Sequence, residues 1–127
     1  MADAVPPILT EALAAHGNGD LTEAETLYRR VLALEPGNTE ALHSLGVVGL
    51  QGGHPAAAAD LFRQTLESDP GYTDAYCNLG LALRAQGFLD DAAEAYGHAI
   101  DAAPDMAEAH SNLGVVFKEK GELDAAA

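Results

Sequence analysis

Apolar side chains recur at helical spacing along almost the whole chain, in short stretches that glycine and proline interrupt. This pattern predicts seven helices, over 6–16, 22–34, 40–51, 56–68, 74–85, 89–102 and 107–119. Pro6 or Pro7 suits the first turn of the first helix and Pro55 that of the fourth, where a missing N–H costs little. Asp20 followed by Glu23 reads as a capping box. At a rise of 1.5 Å per residue each helix is about 18 Å long, too short to be stable alone. An all-α fold must therefore draw its stability from packing hairpin on hairpin.

The hairpins repeat. Pro36, Pro70 and Pro104 stand 34 residues apart (70 − 36 and 104 − 70). The small residues Ala12, Gly46, Gly80 and Gly114 keep the same period, as do Ala24, Ala58, Ala92 and Ala126. Tyr28, Phe62 and Tyr96 fall eight residues before each proline. Gly19, Gly53, Gly87 and Gly121 recur between the halves of each unit, where a left-handed residue lets the chain reverse. A fixed period of this size means a solenoid, with function on a surface built by stacking rather than in a catalytic pocket. The chain reads as one domain, 1–127, with copies at 5–38, 39–72, 73–106 and a partial 107–127. Aromatic and alanine rows in step suggest large-into-small packing between hairpins, and replacing Phe62 with Ala is expected to cost about 3 to 5 kcal/mol. In the fourth copy, Leu123 to Ala127 is expected to begin a second helix, and the next proline would fall at 104 + 34. With no polar capping helix, the expectation is a piece of a longer array, or an open end that pairs with another copy.

Leu45-Gly46, Leu79-Gly80 and Leu113-Gly114, with aromatic residues at Tyr76 and Phe117, resemble the tetratricopeptide repeat. The resemblance implies a right-handed superhelix of antiparallel helix-turn-helix hairpins, three complete and a fourth truncated. It also implies that the first helix of each hairpin lines a concave groove. Departures are local: Glu11-Ala12 stands in place of Leu-Gly, Leu42 and His110 replace the first aromatic, and Tyr72 is expected to pack at the junction between copies. More narrowly, Asp74 to Leu79 and Ala109 to Leu113 resemble the repeat array of O-linked N-acetylglucosamine transferases. There an asparagine ladder holds substrate peptides. Asn78 and Asn112 match that ladder, whereas Thr10 and Ser44 do not.

Charge narrows the partners. Twenty acidic residues against six basic ones leave a net charge of −14 among 127 residues. Such a field repels nucleic acid and anionic membranes and favours basic peptides, although the acidic residues also simply solvate outer faces. Cys77 is the single cysteine, so no internal disulfide can form and a cytoplasmic location is the default expectation. The sequence shows no export signal and no membrane span.

Across the copies, Leu9, His43, Cys77 and Ser111 form one groove row, and Thr10, Ser44, Asn78 and Asn112 the next. A side-chain amide offers both donor and acceptor, so a row of asparagines can pair with the backbone of an extended peptide whatever its side chains. The plainer account is that these amides bond to neighbouring parts of their own repeats. A carboxylate clamp for a peptide C-terminus needs several converging cations. The chain offers mainly Arg84 and Lys118 in corresponding groove positions, against Glu40, Asp74 and Glu108 near the other rim, which disfavours a clamp. These opposed rows instead suggest rungs with one another between adjacent repeats, worth little when solvated, or a reading of charges on a bound peptide. His16, His43, His54, His98 and His110 include no i, i+4 pair to grip a metal; His43 and Cys77 share a row and make a weak zinc candidate. The glycines follow the repeat and form no phosphate loop, and no cofactor is expected. The reading is a noncatalytic protein-interaction scaffold whose groove contacts are Asn78, Asn112, Ser44, His43, Cys77, Ser111, Arg84 and Lys118. The alternatives are a substrate-recruiting region of a larger glycosyltransferase with its catalytic domain elsewhere, and a self-assembling module.

Overall fold

In the computed structural model, which describes residues 4–126 and the side chains of 4–123, seven α-helices follow one another. They are α1 (Val5–Gly17), α2 (Leu21–Leu34), α3 (Thr39–Gln51), α4 (Pro55–Ser68), α5 (Thr73–Ala85), α6 (Leu89–Ala102) and α7 (Ala107–Ala126). The first six pair as antiparallel hairpins, and each helix packs mainly on its neighbours in sequence. Gly19, Gly53 and Gly87 take φ of 81°, 83° and 85°, as the repeat pattern predicts. In each of these turns the N–H that follows the glycine reaches back five residues, Asp20 to Ala15, His54 to Gly49 and Phe88 to Leu83, at 2.8 to 2.9 Å. This bond satisfies a carbonyl that the helix end would otherwise leave open. Pro occupies the first turn of α1 and of α4. Of the capping box at Asp20, the half in which the carboxylate accepts from Glu23 N–H forms, at 3.1 Å. Asn38 caps α3 in the same way, accepting from Ala41 N–H at 2.9 Å.

Ala24, Ala58 and Ala92, with Tyr28, Phe62 and Tyr96, are all fully buried. The sequence pattern suggests that the aromatic rings pack between hairpins; those of Phe62 and Tyr96 also pack closely within one. A Cβ added at Gly46 would stand 2.6 Å from the Phe62 ring, and one at Gly80 would stand 2.5 Å from the Tyr96 ring. The rings of α4 and α6 thus fill the hole left by a glycine on the partner helix, 16 residues earlier (62 − 46 and 96 − 80). The alanines serve the same close approach, since Ala58 lies against Gly49 of α3.

The expected turn at Gly121 does not occur. α7 runs unbroken through it to Ala126, so no second helix of the fourth copy forms among the described residues. In the first three turns a following helix of 14 residues packs back and stabilises the reversal. At Gly121 the helical hydrogen bonds of α7 continue in place of a reversal.

The hairpins form two layers. α3 touches α5 and α5 touches α7 directly, whereas α2, α4 and α6 make no comparable contact with one another. Successive odd helices are therefore closer together, which makes theirs the inner face of the curve. On the other face the even helices leave clefts. One of about 360 Å³ lies between α2 and α4 over Gly49, and one of about 260 Å³ lies between α4 and α6 over Leu83, which holds the position that Gly49 holds one repeat earlier.

Candidate functional site

The inner face is laced by polar contacts between consecutive odd helices, all with one spacing. His16 Nε2 meets Gln51 Oε1 at 2.8 Å, His43 Nε2 meets Asn78 Nδ2 at 2.9 Å, and Asn112 Nδ2 donates to Cys77 Sγ at 3.8 Å. Arg84 Nε donates to Glu119 Oε1 in an ion pair. Each rung joins residues 35 apart (51 − 16, 78 − 43, 112 − 77, 119 − 84), one more than the repeat period. Neighbouring odd helices are staggered by a residue, so a side chain meets the residue just past its own equivalent in the next copy.

His43 is the most fully engaged of these groups. Its Nε2 accepts from Asn78, so the proton of the neutral ring sits on Nδ1, which donates to the Tyr72 hydroxyl at 3.3 Å. The Tyr72 ring packs against it at a tilt of 45° with centroids 4.7 Å apart, and the Phe62 ring also packs against it, at 5.7 Å. Burial holds the imidazole below its ordinary pKa, with the Asp74 carboxylate opposing that shift. Tyr72 packs at the junction between copies, as expected.

Cys77 is only 2% exposed and lies beneath Asn112. Burial, with the Glu108 carboxylate adding to it, pushes its thiol up to about 11, so the sulfur stays protonated at neutral pH and presents no thiolate to a metal or an electrophile. This position of the row faces the core and not the groove. Asn78 and Asn112 are half-buried on the inner face. Their amide nitrogens are tied to the preceding repeat, and no protein group among the described residues is recorded against their oxygens. The amides thus do part of what the plainer account expects, bonding within the solenoid, while keeping an acceptor for something else. Ser44 is half-buried, and the Tyr28 hydroxyl meets His16 Nδ1 at 3.3 Å. Thr10 turns back onto Pro6 O of its own helix at 2.9 Å. Ser111 and Lys118 are exposed on α7.

Arg84 is bound to Glu119, so of the two cations considered for a clamp one is already neutralised inside the solenoid. Glu40, Asp74 and Glu108 form no ion pair with it. Sequence reasoning passes over Glu119, Gln51 and His16 as rung partners because it compares rows at the period of 34. The signal lies at 35, where a donor in one copy faces an acceptor in the next. Among the described residues no group of three or more His, Cys, Asp or Glu side chains is arranged to hold a metal ion, and no helix is long and apolar enough to cross a membrane.

An all-α solenoid of repeated hairpins with a polar inner face defines the class of protein. The chain belongs to the tetratricopeptide repeat family, which it matches over residues 9–73 and 77–127. Among solved structures it is similar to an O-GlcNAc transferase from Thermobaculum terrenum, with 35% identity and a TM-score of 0.83 over 89% of this chain and 22% of that one. It thus spans less than a quarter of the transferase. It is also similar to MamA from Desulfovibrio magneticus RS-1, with 27% identity and a TM-score of 0.89 over 97% of this chain and 70% of that one. The first tetratricopeptide domain of Spaghetti, solved bound to an HSP90 peptide, shares the fold at 19% identity and a TM-score of 0.89, over 92% and 93% of the two chains. No curated protein matches the chain significantly.

Proposed function

We propose that the inner face holds an extended segment of a partner protein, with the amides of Asn78 and Asn112 on its backbone. The observation that carries this reading is that both amides stand on the inner face of successive odd helices with their nitrogens anchored to the preceding repeat. Anchoring fixes the direction of each side chain before a ligand arrives, which lowers the ordering cost of binding. Each oxygen is then an acceptor for a peptide N–H, and backbone pairing of this kind tolerates many side chains. The Arg84–Glu119 pair disfavours capture of a peptide through its terminal carboxylate. The net charge of −14 favours a basic segment. The HSP90 peptide seen on the Spaghetti domain is a precedent for peptide capture on this fold.

The test is a peptide array probed with the wild type beside an Asn78→Ala, Asn112→Ala double variant. Loss of two backbone hydrogen bonds, each worth about 0.5–1.5 kcal/mol, should weaken retained peptides roughly ten-fold. Equal binding by both proteins removes the ladder.

The likeness to the Thermobaculum transferase favours a second reading, in which this region recruits peptide substrates for a glycosyltransferase domain elsewhere in a longer protein. Both readings use the same groove. They part on the full coding sequence, where a nucleotide-sugar domain supports the second and a stop codon directly after Ala127 rules it out.

A further inference from the structure

Asn78 does not choose its own orientation. The amide has one nitrogen and one oxygen end, and whichever turns toward His43 leaves the other for the groove. With the ring neutral and its proton on Nδ1, facing the Tyr72 hydroxyl, Nε2 is an acceptor and takes the amide nitrogen. We propose that His43 is a positioning residue that decides which end of Asn78 the inner face presents: an acceptor when the imidazole is neutral, a donor when it is protonated. This inference rests on the groove reading and adds its control.

Protonation puts a hydrogen on Nε2, which then faces the two hydrogens of Asn78 Nδ2. Two donors cannot share a hydrogen bond, so the amide must turn and offer Oδ1 to the ring. Turning keeps the rung that breaking would lose, and although burial opposes the charged ring, a neighbouring carboxylate favours it. Asp74 of α5 acts directly on His43, and Glu40 of α3 and Asp69 at the end of α4 act on the Tyr72 beside it. Phe62 of α4 contributes only its ring. After the turn, the groove meets two N–H donors at this position and would pair with peptide carbonyls instead of peptide N–H groups. Asn112 is the internal control. Its anchor is the Cys77 thiol, which carries its proton throughout the range in which imidazole titrates.

The experiment needs no ligand, so its failure would leave the groove reading standing, whereas a negative peptide array would count against the groove reading itself. The intact chain, labelled with 15N, is followed by NMR from pH 8 to pH 5. At pH 8 the His43 ring nitrogens should report the Nδ1–H tautomer. As pH falls, the side-chain NH₂ resonances of Asn78 should shift with the same midpoint as His43 while those of Asn112 stay still. His43→Gln, a side chain that does not titrate, should abolish the Asn78 response. An Nε2–H tautomer at pH 8, Asn78 resonances that stay put while His43 titrates, or a response that survives in His43→Gln would each overturn the proposal.

Discussion

Tyr28 and Tyr96 hold the same repeat position and the same burial, yet their hydroxyls fare differently. That of Tyr28 meets His16, whereas that of Tyr96 is buried with no hydrogen-bond partner among the described residues. Phe62, between them in sequence, fills its place with no hydroxyl at all. A buried polar group without a partner is a cost, and one with a partner a modest gain. Tyr28→Phe should therefore destabilise by about 1 kcal/mol while Tyr96→Phe is neutral or stabilising, as urea melts of the two variants would show; the opposite order would contradict the assignment. The glycines of the Leu-Gly pairs separate in the same manner. Gly80→Ala drives a methyl into the Tyr96 ring and should cost about 1–3 kcal/mol. Gly114→Ala meets nothing within 4 Å and gains helix propensity, so it should stabilise by up to about 1 kcal/mol in the same melts.

At the scale of elements, the rungs between odd helices decide how one repeat sits on the next. The rung from α3 to α5 passes through His43, whose pKa burial lowers in the folded chain. Between that lowered value and the unfolded value of about 6.5, the unfolded chain binds the proton more readily. The contribution is complete above about pH 6.5, falls as pH drops through the folded pKa, and is level below it. Urea melts should show lower stability at pH 5 than at pH 7, and His43→Gln should flatten this slope; an unchanged slope would mean that other groups set it. These rungs are also where the sequence is least legible. The helices can be read within a few residues from glycine, proline and apolar spacing, because those signals are local. The groove row can be read only in part, since Leu9, His43, Cys77 and Ser111 are equivalent by count but not by environment. Cys77 is buried, Ser111 is exposed, and no local rule distinguishes them. The stagger between helices does, and it exists only once they pack. Gly121 shows the same limit: its local signal matches the other three, yet α7 continues through it.

Over the whole molecule, the buried apolar residues divide into two clusters. One runs from Ile8 through Val31 to Val48, and the other from Ala58 through Phe62 and Tyr96 to Val116. Contacts run almost wholly between neighbouring helices, so stability is close to a sum over hairpins and their interfaces. Phe62→Ala should remove about 3–5 kcal/mol from the second cluster, a large share of the total for an array this short, and leave the first nearly intact. Circular dichroism during denaturation should then show a broadened or two-step transition, while a sharp transition near the wild-type midpoint would sink the packing described for Phe62.

The stagger of one residue also fixes the order of the copies. Each rung has one member on either side of a repeat boundary, so no single unit carries a matched pair. Duplicating residues 39–72 in tandem would set the imidazole of His43 against a copy of Ser44 instead of Asn78, and deleting 73–106 would leave it facing Asn112. Modules that look interchangeable by length are thus keyed to their successors, and gain or loss of a whole repeat changes the polar lining at the splice even where the backbone period is kept.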